Sequence, residues 1–105
     1  MRLVILESPY AGDVQSNIEY ARLCLRDSLM RGEAPIASHL LYTQPGVLDD
    51  EKPDERMHGI NAGLAWKSVA DASVVYTDLG ITSGMEYGIK AAQQAGINIE
   101  FRSIK

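Results

Sequence analysis

The chain has 105 residues, of which 46% are apolar and 23% charged, so it has room for one small domain and no reason to be disordered. Ten basic against fourteen acidic side chains give a formal charge of −4, which argues against a nucleic-acid polymer as partner, because such surfaces need many lysines and arginines on phosphates. The single cysteine, Cys24, excludes an internal disulfide and a zinc site built from paired cysteines.

The elements follow in chain order. Leu3 to Leu6 reads as a buried strand. It begins too close to the amino terminus, and its apolar run is too short, for a secretory core or a membrane span, so a reduced, cytoplasmic setting is expected. Val14, Ile18, Ala21, Leu25 and Leu29 recur at spacings of 4, 3, 4 and 4, the apolar stripe of a first helix, which Arg31-Gly32 ends. Ala34 to Ala37 is a brief second strand. Ser38 to Lys52 reads as irregular, with Pro45, Gly46 and Asp49-Asp50. Pro53 suits the first turn of a second helix whose stripe is Met57, Ile60, Leu64 and Ser68/Val69. Ala72 to Thr77 is a third strand, Asp78 to Ser83 a loop, Gly84 to Ala95 a third helix closed by Gly96, and Ile97 to Arg102 a last strand.

This βαβαβαβ alternation predicts a single α/β domain over residues 1–105. Its architecture is a small Rossmann-like three-layer sandwich with a mostly parallel sheet of four to five strands. Ligands of such sheets sit beyond the carboxyl ends of the strands, which selects three loops. The first runs Glu7-Ser8-Pro9-Tyr10-Ala11-Gly12-Asp13. Pro9 and Gly12 bracket Tyr10 on a stiff turn, where it can stack on a flat ring or donate its hydroxyl, and Ser8 is placed for ligand contact. Asp13 or Ser16 is the expected helix cap, with Ser16 and Glu19 spaced as a capping box. The loop lacks the glycine spacing of a dinucleotide fingerprint or a Walker A loop. The second loop offers His39 directly after a strand, a position shared by structural and catalytic histidines. It also carries Tyr42, Thr43 and Gln44. Its acidic run Asp49-Asp50-Glu51 reads as solvated rather than as a metal site, and no metal or cofactor is expected.

The third loop opens the last helix with Ser83-Gly84-Met85-Glu86-Tyr87-Gly88. Ser83 and Glu86 have the spacing of a capping box, which would leave Glu86 satisfying a helix end. The alternative is that Glu86 projects into the crevice while Gly84 and Gly88 let a ligand approach the backbone. Two helix glycines cost roughly 1 kcal/mol each relative to alanine, and a simple cap needs neither.

Ser8-Pro9-Tyr10 after the first strand, His39 after the second and Ser83-Gly84-Met85-Glu86-Tyr87-Gly88 opening the last helix together resemble the nucleoside 2-deoxyribosyltransferase-like superfamily, in particular its small phage and bacterial members. The order of these elements covers nearly the whole chain. The resemblance implies an N-glycosidase or deoxyribosyltransferase acting on a (deoxy)nucleoside or nucleoside 5′-monophosphate, with Glu86 as the nucleophile that attacks C1′. It implies an acidic catalytic residue six positions before that glutamate, where this chain has Gly80, which leaves Asp78 as the nearest carboxylate and the catalytic candidate there. It puts Asn61 near the sugar hydroxyls, and Ser83 with the first turn of the last helix at a 5′-phosphate. It also implies a homodimer or higher homo-oligomer, with Met57, Met85 and Trp66 as candidate contacts. A non-catalytic nucleotide or ADP-ribose-like sensing module, phage-encoded as a counter to host signalling, is the rival reading, and the loss of the acid at Gly80 favours it.

Overall fold

A computed structural model describes all residues, 1–105. Strand β1 (Arg2–Glu7) is followed by helix α1 (Val14–Met30), β2 (Glu33–Ile36), the short α2 (Ser38–Leu41), α3 (Pro53–Ala65) with a 3₁₀ turn at Trp66–Ser68, β3 (Ala72–Tyr76), α4 (Ser83–Ala95) and β4 (Asn98–Arg102). The four strands form one sheet in the order β2-β1-β3-β4, every pair parallel. Helices lie on both faces, so the three-layer expectation holds. No helix is long and apolar enough to cross a membrane.

Strand alternation divides the sheet into two faces. Val4, Leu6, Ala72, Val74 and Tyr76 point toward α1 and form its core with Tyr20 and Cys24. Ile5, Glu7, Ser73 and Val75 have the opposite parity and face α4 and the 3₁₀ turn, as the contacts of Glu7 with Lys67 and of Lys67 with Ser73 require. Asp71 precedes β3 as a structural residue: its carboxylate accepts from Leu3 N–H at 2.7 Å, and its own N–H donates to Leu3 C=O at 2.8 Å.

Three expectations need correction. The inward face of α1 is Asn17, Tyr20, Ala21, Cys24 and Ser28, whereas Val14 and Leu29 are exposed. The helix is rotated from its apolar stripe because its buried polar groups all find partners. Asn17 Nδ2 donates to the Tyr10 and Ala11 carbonyls, and Ser28 Oγ donates to Glu33. Asp13 alone caps this helix, accepting from the Ser16 N–H and hydroxyl, so Ser16 and Glu19 form no capping box. Ser38–Leu41, expected to be irregular, is helical, and its seat is a glycine: a Cβ at Gly63 would come within 2.5 Å of Ser38 Oγ.

Charge is concentrated on the α1 face. Arg102 makes a bidentate pair with Glu33, at 2.7 and 2.6 Å, and donates to Tyr76 Oη and Glu100. Arg2 bridges Glu33 and Glu100. The two guanidinium groups and Ser28 hold the Glu33 carboxyl down at about 2. Nearby, Tyr76 donates to Asp27 at 2.7 Å, and burial with that bond pushes the phenol up to about 12.

Candidate active site

A cavity of about 170 Å³ opens outside the carboxyl ends of β1 and β2, between α2, α3 and the start of α4. Each element reaches it for a local reason. Asn17 pins the first loop by its carbonyls, so Ser8 is buried and Tyr10 turns toward the cavity. Helix α2 starts as β2 ends and presents His39, Tyr42 and Thr43. The inner side of α3 presents Arg56, Gly59, Ile60, Gly63 and Leu64, a helical period that continues to Lys67. Its glycines let neighbours press close: a Cβ at Gly59 would stand 3.2 Å from Leu48, in addition to the contact of Gly63 with Ser38. Trp66 Nε1 donates to Tyr42 Oη at 3.0 Å, tying α2 to the end of α3.

Six of the expected site residues converge here: Ser8, Tyr10, His39, Ser83, Gly84 and Met85. Ser8 Oγ and His39 Nε2 are hydrogen-bonded at 2.7 Å. Burial pushes the imidazole down to about 4, so at neutral pH the ring is uncharged and a weak base. The pair therefore fits hydrogen bonding to a ligand better than activation of the serine as a nucleophile.

The other expected residues lie elsewhere. Pro9 is buried behind the loop, and Gly12 takes a positive φ of 103° at an exposed turn that its left-handed backbone explains. Asn61 is one step round α3 from Ile60 and faces outward with Asp54, Met57 and His58. Asp78 is outside the cavity. Its carboxylate accepts from Tyr20 Oη at 2.6 Å, from Ser103, and from the Ile104 and Lys105 N–H groups, which hold it well below the usual carboxylate range. A carboxylate so committed ties the chain's last residues to the core and is unsuited to donating a proton. Gly80 forms the turn that follows, at φ +88°.

Helix α4 is capped by Thr82, whose hydroxyl accepts from Met85 N–H at 3.3 Å while Met85 Sδ accepts from Thr82 N–H. This overturns the Ser83–Glu86 capping box: the helix starts one residue earlier in register, and Glu86 takes no part in its cap. Glu86 is exposed in the first turn, at the edge of a cavity lined by its neighbours Ser83, Gly84, Met85, Tyr87 and Gly88, and is not itself in the lining. Met85 is 2% exposed and packs inward, so it is not available as a subunit contact, whereas Met57 and Trp66 are exposed.

Sequence reasoning missed the cavity's charged floor. Glu7, the last residue of β1, lies in the lining and accepts a hydrogen bond from Lys67 Nζ at 3.3 Å; Lys67 also donates to Ser73 at 3.4 Å. Desolvation raises the Glu7 carboxyl above its usual value despite that lysine. Gly88 exists for this contact, since a Cβ there would come within 1.7 Å of Glu7 Oε2. The signals were present: Lys67 continues the spacing of Ile60 and Leu64, and Glu7 follows an apolar strand on the same parity as Ile5. Arg56, paired with Asp50 at 2.9 Å, adds a cation to the lining. The acidic run is spoken for in part, with Asp50 on Arg56 and Asp49 accepting from Glu51 N–H.

A family model described as a domain of unknown function, DUF7768, matches residues 2–102. No curated protein matches the sequence. Two solved structures share the fold. A 2-deoxyribosyltransferase from Bacillus psychrosaccharolyticus superposes with a TM-score of 0.66 at 18% identity, covering 96% of this chain and 72% of that one. A 2-deoxyribosyltransferase from Leishmania mexicana superposes with a TM-score of 0.57 at 11% identity, covering 100% of this chain and 66% of the other. This chain is thus shorter than either neighbour, and at these identities the likeness is one of fold.

Proposed function

The chain belongs to the DUF7768 family, and we propose that it cleaves the N-glycosidic bond of a (deoxy)nucleoside or nucleoside 5′-monophosphate, as an N-glycosidase or deoxyribosyltransferase. The observation that carries this reading is the convergence of Ser8, Tyr10, His39, Ser83, Gly84 and Met85 on one cavity at the ligand crevice of the sheet, with an uncommitted Glu86 at its edge. The fold shared with two 2-deoxyribosyltransferases supports it. Tyr10 supplies a ring face for a base, and the neutral His39 with Ser8 supplies hydrogen bonds without charge. Glu86 attacks C1′ as the base departs, giving a glycosyl ester. Water resolves the ester in a hydrolase, and a second base resolves it in a transferase. A 5′-phosphate would sit at Ser83 and the opening turn of α4. A homo-oligomer completes this picture, with the exposed Met57 and Trp66 as its contacts.

A second reading is a binding or sensing module for a nucleotide or ADP-ribose-like ligand. It is favoured by Glu86 standing outside the cavity lining and by Gly80 at the turn where the resemblance implies an acid. One experiment separates the two. The protein is incubated with a panel of deoxynucleosides and their monophosphates, and free base is measured by chromatography. Release by the natural protein and its loss in Glu86→Ala, which stays folded, is the expected result. Unchanged turnover in Glu86→Ala removes that nucleophile. A ligand that raises the melting temperature and is recovered intact favours the binding module.

A further inference from the structure

We propose that Glu7 is the proton-transfer residue of this cavity, giving its proton to the departing base and later taking one from the attacking water. The inference rests on the glycosidic reading above and adds to it a group that the motifs do not contain. Glu7 Oε2 accepts from Lys67, while Oε1 has no hydrogen-bond partner. No fully buried side-chain nitrogen or oxygen in the protein is left without a partner. Oε1 is therefore not sealed in, and Glu7 is part of the cavity lining. The contact is built at a cost in two elements. Strand β1 ends on a largely buried carboxyl, and α4 carries a glycine in its interior so that Glu7 Oε2 has room. Glu33 shows what an ion pair that only holds the fold looks like here: both of its oxygens are saturated.

The step balances. As the C1′–N bond breaks, its electron pair stays on the base, and the proton on Glu7 Oε1 moves to a heteroatom of that base. The Glu86 carboxylate closes on C1′ as an ester. In the second half, water attacks C1′, its proton returns to Glu7, and Glu86 leaves as a carboxylate. Desolvation favours the protonated carboxyl that the first half needs, and Lys67 beside it favours the ionised form left behind.

The test compares two substrates of one sugar: a deoxynucleoside, whose base must be protonated to leave, and 4-nitrophenyl 2-deoxyribofuranoside, whose phenolate leaves without a proton. In Glu7→Gln, kcat on the nucleoside is expected to fall by at least about 100-fold, the lower range for a general acid, with little change on the nitrophenyl glycoside. The natural protein is expected to lose nucleoside turnover as pH rises through the Glu7 carboxyl's raised value, and that loss should vanish in the same variant. If Glu7→Gln fails to fold around an unpaired Lys67, the double variant Glu7→Gln/Lys67→Met keeps the floor neutral and should show the same selectivity. Equal losses on both substrates, or none on either, overturn the assignment of Glu7 while leaving the glycosidic reading standing. A natural protein inert on both substrates overturns that reading and this one with it.

Discussion

On the α1 face of the sheet the Glu33 carboxylate accepts four hydrogen bonds, from Arg102 twice, Arg2 and Ser28. On the α4 face the Glu7 carboxylate accepts one, from Lys67. Their carboxyls shift in opposite directions, Glu33 down to about 2 and Glu7 upward. The first is ionised and spent on holding β1, β2 and β4 together. The second is held in reserve beside a cavity. The two buried carboxylates thus differ in how completely their hydrogen bonding is met, and the two faces supply the control for each other.

The sharpest way to break this contrast is to remove each cation. Arg102→Met leaves Glu33 largely buried with its bidentate partner gone and should destabilise the fold by about 3–5 kcal/mol, read as a fall in the urea midpoint. Lys67→Met should cost less, about 1–2 kcal/mol, because Glu7 can keep its proton. Equal losses would erase the distinction between the faces.

The two α4 glycines in the cavity lining sharpen it further. Gly88→Ala drives a methyl into the Glu7 carboxylate and should cost about 1–3 kcal/mol. Gly84→Ala meets only Thr82 Oγ1 at 3.9 Å and should instead stabilise α4 by up to about 1 kcal/mol. The same denaturation curves read both, and a common sign would contradict the close approach at Gly88.

The pH dependence should also differ by face. His39 has its folded value lowered from 6.5 to about 4, so the unfolded chain binds its proton first, and the stability it contributes is lost as pH falls from 6.5 toward 4. Glu33 contributes stability above its ordinary 4.5 that is lost only as pH falls toward about 2. Glu7, raised, has the reverse sign: its contribution is present below 4.5 and lost as pH rises through its folded value. Melting temperatures across this range should therefore show the step between 6.5 and 4 disappear in His39→Gln, while the step below 4.5 persists. The smallest expected effect is at the chain's end. Tyr20→Phe removes the 2.6 Å bond to Asp78 and should cost about 1 kcal/mol, leaving the cavity untouched.

Much of this was legible in the sequence, where period and punctuation decide. The strands, the two ends of α1, the glycine stop of α4 and the parallel alternation follow from apolar runs, Asp13, Gly32 and Gly96. The crevice rule selected the loops that do carry Ser8, Tyr10, His39 and Ser83. Side-chain facing was less legible. Nothing in a hydropathy stripe reveals that Asn17, Ser28 and Tyr20 find polar partners and so turn inward in place of Val14 and Leu29. Asn61 lies one helical step away from the cavity side of α3, and Asp78, a catalytic candidate by position alone, is already held by four donors from Tyr20, Ser103, Ile104 and Lys105. The pairing of Glu7 with Lys67 joins residues 60 positions apart, a contact that only the folded chain brings together.

We propose that the α4 face, and not the α1 face, holds a nucleoside, and an amide NMR titration with deoxynucleosides and their monophosphates tests this most directly. The expected result is saturable shifts at Ser8, Tyr10, His39, Gly84 and Gly88 with Cys24 and Leu29 unmoved. Shifts confined to α1, or none with any nucleoside of the panel, would contradict it.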